Sequence, residues 1–247
     1  MDVSRRRRRR VAVLAGVLLA ASALAGCEKD GTGDGVRIML VGDSITQGRV
    51  GDWTWRYRLA RTLEDQGVSF DLVGPEDGVY DERTGDVGAD GYRDPDFDTD
   101  HAARWGATYA DLGPDIADQV EDERAQIVVN ALGTNDLLRD GRSPAQVARS
   151  AETLVANARS VDARVDVVLV HIPGRTRDAE DLNARLDALA DRLDRPDSRV
   201  VTGTVPGGYL TDEDLYDGLH PDASGERKIA RGVARALAEV GVGASGG

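Results

Sequence analysis

Val36-Arg37-Ile38-Met39-Leu40-Val41-Gly42-Asp43-Ser44-Ile45-Thr46-Gln47-Gly48 is the stretch from which the rest of the chain can be read. Its first half is an apolar run of strand length, the pattern of a strand buried on both faces. The run stops at a small polar turn. Gly42 and Gly48 bracket Ser44 there, so the backbone can bend sharply and hold a hydroxyl clear of bulky neighbours. A helical pattern follows from about Trp53. Strand, tight turn with serine, then helix is how α/β enzymes present a nucleophile above a sheet. A second reading stays open on this stretch alone: Asp43 and Ser44 are also ordinary turn-capping residues.

Working outward, Trp55, Leu59 and Leu63 recur at helical spacing up to Gly67, and Val68 to Val73 reads as a short second strand. Gly74 to Asp100 is Gly- and Asp-rich without periodicity, an irregular loop long enough to carry function. Within it, Asp94-Pro95-Asp96-Phe97-Asp98-Thr99-Asp100 alternates acids, yet an EF-hand loop would need Gly and Glu where Thr99 and Trp105 stand. A solvated acidic loop is the expectation, with a looser calcium site as its rival. Thr108 to Leu112 reads as a turn of helix, and Pro114 suits the first position of a helix to about Arg124. Ile127 to Leu132 is a third strand, ending in Gly133-Thr134-Asn135-Asp136. A helix from Pro144, a strand from Val165 to Ile172 and an amphipathic helix through Leu182, Leu186, Leu189 and Leu193 come next. A short edge strand at Arg199 to Val201 precedes a final helix opened by Pro221. Strands alternating with helices, each strand apolar throughout, predict an α/β domain with a parallel sheet of about five strands covered on both faces. Ligands in such open sheets bind beyond the strand C-termini. Ser44, Asn135 and His171 all fall there.

Near the C-terminus stands Asp217-Gly218-Leu219-His220-Pro221. A carboxylate three residues before an imidazole can bond Nδ1, fix the tautomer and leave the other nitrogen free as a general base. A helix-capping aspartate beside an incidental histidine is the alternative for this pair alone. With Gly42-Asp43-Ser44-Ile45-Thr46 and Gly133-Thr134-Asn135-Asp136, in this order, the chain from about Arg37 to the final helix resembles the SGNH (GDSL-type) hydrolases. The resemblance implies a three-layer α/β/α sandwich of flavodoxin-like order and a cofactor-free serine esterase. On that template Ser44 attacks the ester, His220 shuttles the proton and Asp217 orients it. The oxyanion donors are the Ser44 and Gly106 N–H groups and the Asn135 amide. Gly106 is placed within Trp105-Gly106-Ala107-Thr108-Tyr109; Gly88 and Gly91 are rivals for that role. Within residues 36–240 no Gly-x-Ser-x-Gly occurs. Gly-Asp-Ser-Ile-Thr-Gln-Gly, the Trp-x-Trp-Arg that follows and Val-Gly-Pro after the second strand look like carbohydrate-esterase members, implying an acetylated polysaccharide as substrate. A small-ester or lipid esterase, and an inactive carbohydrate-binding protein on the same scaffold, are the alternatives. Asp43 and Asp136 read as supporting groups, His171 as structural and His101 as solvated. Trp55 reads as core, while Trp53 and Trp105 are open to stacking on a sugar.

The first 26 residues read as a signal: Arg5 to Arg10, then an apolar stretch from Val11 to Ala25. Leu24-Ala25-Gly26-Cys27 resembles a lipobox, which implies a lipid on Cys27, the only cysteine, and an extracytoplasmic protein. Simple secretion is the alternative. Glu28 to Gly35 reads as a flexible tether, residues 36–240 as the hydrolase domain and 241–247 as a frayed tail. Removing residues 1–26 takes away six arginines and Asp2 and leaves 25 basic against 43 acidic residues, a net charge of −18. So acidic a domain does not suit nonspecific nucleic-acid binding or anionic lipid surfaces; membrane contact is expected through the lipid alone. A small-molecule or polysaccharide ester is the expected partner, and a monomer the expected state.

Overall fold

The structure, a computed structural model, describes residues 35–243. The signal segment, Cys27 and all of the tether but Gly35 lie outside the described residues, as do residues 244–247 of the tail. Five strands form a parallel sheet in the order β2 (Phe70–Val73), β1 (Val36–Gly42), β6 (Ile127–Ala131), β7 (Asp166–Val170), β8 (Val200–Gly203). A sixth, β5 (Ala102–Ala103), pairs with the end of β1 through Val41 and Gly42. The fold is therefore the three-layer α/β/α sandwich expected.

Each strand divides its apolar side chains between two cores, because successive residues point to opposite faces. Ile38, Leu40, Ile127, Val129, Val168 and Val170 face one way, against Trp55, Leu59 and Leu63 of α2 (Thr54–Asp65) and Ile229, Val233 and Leu237 of α8 (Ala223–Glu239). Met39, Val41, Val128, Val167 and Leu169 face the other way. There they meet α4 (Ile116–Asp122), α6 (Pro144–Val161) and α7 (Arg177–Leu193). Both faces being dry, the strands need no polar alternation, which is why they are legible as continuous apolar runs.

Four features differ from the sequence reading. The segment 74–100 is not wholly irregular: β3 (Val79–Asp81) and β4 (Asp86–Ala89) make an antiparallel hairpin. Asp86, Val87 and Gly88 are exposed, so no apolar alternation marks the hairpin in the sequence. Thr134 to Leu138 forms a short helix, α5, after β6. The last helix starts at Ala223 rather than Pro221, because Asp222 is the cap and accepts from the Ser224 and Gly225 N–H groups. Pro114 sits in a 3₁₀ turn, Gly113–Asp115, just ahead of α4. Among the described residues no helix is long and apolar enough to cross a membrane.

Candidate active site

The site is built where β1 runs out. Ser44 is the first residue of α1 (Ser44–Gln47), and Asp43 caps it, Oδ1 accepting from the Ile45 N–H at 3.0 Å. Only glycine fits at position 42: a Cβ there would lie 2.1 Å from Thr46 Oγ1, so the turn could not close. Arg56 of α2 holds the other end of the turn. Fully buried, it donates to the carbonyls of Thr46 (3.0 Å), Gln47 (3.1 Å) and Thr99 (2.7 Å). A buried cation lashed to the carbonyls of α1 gives the Ser44 turn a rigid seat.

The loop before α8 brings the partner group. Ser44 Oγ donates to His220 Nε2 at 2.9 Å, and His220 Nδ1 donates to Asp217 Oδ2 at 2.7 Å. Asp217 Oδ1 accepts the N–H groups of Leu219 (3.0 Å) and His220 (2.8 Å), so the carboxylate is locked to the loop that carries the imidazole. Desolvation works upward on the Asp217 carboxyl, but the bonds from the His220 backbone, its imidazole and the Leu219 N–H outweigh it and hold the group at about 2. It is an anion at every working pH and keeps the imidazole in the tautomer whose free nitrogen faces Ser44. This chain of hydroxyl, imidazole and carboxylate can remove the serine proton during attack and return it to a leaving group.

Donors for a developing oxyanion lie beside it. As the first residue of a helix, Ser44 has no intrahelical acceptor for its N–H. Asn135 of α5 reaches over the turn, its amide donating to Ala107 O (3.0 Å) and Asp43 Oδ2 (3.3 Å). Gly106 precedes Ala107 in a left-handed conformation (φ +75°), and its carbonyl is turned away from the site to accept from Arg139 Nη1 at 2.5 Å. The next residues of that loop are held by Asp136, which accepts from the Tyr109 N–H (3.1 Å) and pairs with Arg142 (2.6 Å). Burial pushes the Asp43 carboxyl up to about 7; the Ile45 N–H opposes this and the nearby Asp136 adds to it. Neither rival glycine sits at this turn: Gly88 is on β4, and the N–H of Gly51 donates to Gly91 O in the loop beyond.

Of the other residues singled out in the sequence, His101 differs from its expectation. It is fully buried, with Nε2 bonded to Gly78 O (2.8 Å) and Nδ1 accepting from the Ala103 N–H (3.0 Å). Burial and the Arg56 charge hold it well below the usual histidine range, so it is a neutral strut under the hairpin. His171 is structural, bridging Asp187 (2.8 Å) and Thr204 (3.0 Å). Trp55 is core. Trp105 is not free to stack on a sugar, since Tyr80 covers one face at 4.4 Å and His220 the other at 4.8 Å. Trp53 packs on Tyr57 with Arg58 over its ring. Among the described residues no group of three His, Cys, Asp or Glu comes together to hold a metal. The sequence reading missed Gln47, Tyr80 and Tyr216, whose contacts with Trp105 (Gln47, Tyr80) and Arg49 (Tyr216) join segments remote in the chain and leave no local signal.

Beside the serine opens a cavity of about 300 Å³, mostly apolar, walled by Ile45, Thr134, Leu137, Leu138, Ile172 and Leu219. Ile45, Thr134 and Leu219 are the chain neighbours of Ser44, Asn135 and His220, so the cavity wall adjoins each of the three reactive groups along the chain.

Known proteins share this fold. A carbohydrate esterase family 3 protein from Talaromyces cellulolyticus is 25% identical, with a TM-score of 0.70, over 83% of this chain and 97% of that one. An acetyl esterase, solved as a serine-to-alanine mutant with acetate ion, is 26% identical with a TM-score of 0.71 over the same shares. A Clostridium thermocellum family 3 carbohydrate esterase, 22% identical over 84% and 97%, shares the fold with a TM-score of 0.68. No curated protein matches the sequence. Residues 40–228, from within β1 to the second turn of α8, match the GDSL-like Lipase/Acylhydrolase family, and the chain belongs to that family as a carboxylic ester hydrolase.

Proposed function

We propose that this protein removes acetyl groups from carbohydrate by way of an acyl-enzyme on Ser44. The observation that carries the reading is the continuous hydrogen-bonded line from Ser44 Oγ through His220 to Asp217. Ser44 Oγ attacks the ester carbonyl as His220 Nε2 takes its proton, and the tetrahedral oxyanion is met by the Ser44 N–H, the Gly106 N–H and the Asn135 amide. Collapse breaks the bond to the alcohol, which leaves with the proton from His220. Water, deprotonated by the same nitrogen, then releases the acid and restores Ser44. Support for a carbohydrate acetyl ester comes from the two similar structures at 25% and 26% identity, one a carbohydrate esterase and the other an acetyl esterase holding acetate.

A second reading rests on the cavity. About 300 Å³ walled mostly by apolar side chains, with Arg175, Thr176 and Asp212 among the rest, is more room than a single methyl needs, and it suits a longer acyl chain. One experiment addresses both: nitrophenyl acetate, butyrate and octanoate assayed alongside acetylated xylan, with Ser44→Ala as control. Preference for acetate and release from the polysaccharide support the first reading; preference for octanoate supports the second. Undiminished turnover by Ser44→Ala would end both.

A further inference from the structure

A column of stacked side chains runs past Ser44, and apart from His220 none of its members has a part in the steps above. The guanidinium of Arg49 lies 3.7 Å from the Tyr216 ring centroid. Tyr216 parallels the His220 imidazole at 5.7 Å and 15°. His220 parallels Trp105 at 4.8 Å and 22°, and Trp105 parallels Tyr80 at 4.4 Å and 21°. The members come from the loop after α1, from β3, from the loop before α3 (Tyr109–Leu112) and from the loop before α8.

The imidazole needs such support. Its bonds to Ser44 and Asp217 both lie in the ring plane, so they leave the ring free to tip about the line joining those two partners. Rings on both faces oppose that tipping. When His220 takes the serine proton, its positive charge also lies against two π faces, of which indole is the stronger cation partner. Trp105 does more than stack. Its backbone N–H donates to Gln47 Oε1 at 2.6 Å, while Gln47 Nε2 donates to Val87 O at 2.5 Å on the hairpin. The backbone that leads directly into Gly106 is thus tied to α1.

The geometry points to Trp105 as a positioning residue for the acyl transfer. Its indole, backed by Tyr80 of the hairpin, holds His220 in plane, and its anchored backbone sets the direction of the Gly106 N–H. This rests on the reading of Ser44 and His220 as the reacting pair.

The test compares Trp105→Leu, Trp105→Phe and Tyr80→Leu by steady-state kinetics on nitrophenyl acetate, by the rate of Ser44 phosphonylation with a fluorophosphonate, and by thermal melting. Trp105→Leu is expected to lower kcat by about 100-fold with KM within about threefold, since misplacing a reacting group costs on that order. Trp105→Phe, which keeps an aromatic face, should return to within about tenfold of the parent. Tyr80→Leu should slow the parent but add little once Trp105 is leucine, the mark of residues acting through one contact. A Trp105→Leu enzyme with parental kcat would overturn the inference, and so would phenylalanine and leucine variants that are equally slow. Should Trp105→Leu fail to fold, Tyr80→Leu decides, and a parental kcat there overturns it. A parent protein that neither turns over ester nor labels at Ser44 would instead bring down the underlying reading.

Discussion

Replacing Glu226 with glutamine should change the pH dependence of stability in a specific direction. Glu226 is 4% exposed on α8, directly behind the Ser44–His220 pair. Its Oε1 accepts the Thr54 N–H at 2.9 Å, and its Oε2 faces Arg58 Nε at 3.5 Å without a hydrogen bond. Burial pushes the carboxyl from 4.5 up to about 7, against the pull of the Thr54 N–H and Arg58 and with a further push from Asp52. A group whose folded value is raised stabilises the protein most below its unfolded value, and that stability is lost as pH rises through the folded one. The window here is from about 4.5 to 7. At about 1.4 kcal/mol per pH unit, the loss comes to about 3 kcal/mol. Glutamine keeps the acceptor for Thr54 and cannot ionise. In differential scanning calorimetry, Glu226→Gln should therefore gain on the parent by about 10 °C between pH 4 and pH 8 for a domain of this size. Other titrating groups, Asp43 among them, are common to both proteins and cancel in the difference. A gap in Tm that stays constant across the window would refute the reasoning, because it would mean that Glu226 ionises as an exposed glutamate does.

Two further outcomes are expected. Asn135→Ala should lower kcat by about 100-fold or more while leaving KM within about threefold, the signature of a donor used only in the transition state; a kcat near that of the parent would remove Asn135 from the oxyanion set. Arg56→Met should cost about 3 kcal/mol or more in urea unfolding, because buried carbonyls of Thr46, Gln47 and Thr99 would lose their donor together. A loss below about 1 kcal/mol would show that Arg56 does not seat the Ser44 turn.

The residue pattern alone carried the layering of this protein. Buried parallel strands such as Ile127–Ala131 must be apolar on both faces, and helices such as α7 must be apolar on one, so each element announces itself locally. The site residues were nameable for a related reason: Ser44, Asn135, Asp217 and His220 sit in short segments whose residue types are few and specific. Position was another matter. Ser44 and His220 are 176 residues apart, and only the packing of α8 with α2 on one face of the sheet, which brings the loop leading into α8 back to the end of β1, puts a 2.9 Å contact between them. The burial of His101, the hairpin at 79–89 and the aromatic column were likewise decided by tertiary structure. His101 and the column depend on partners remote in the chain, Gly78 for His101 and Tyr80 for Trp105, and contacts of that kind leave no periodicity behind, while the hairpin pairs locally but exposes β4 and so shows no apolar alternation. Local chemistry writes secondary structure and motif into a sequence; which surfaces finally meet is settled by the packing of the whole.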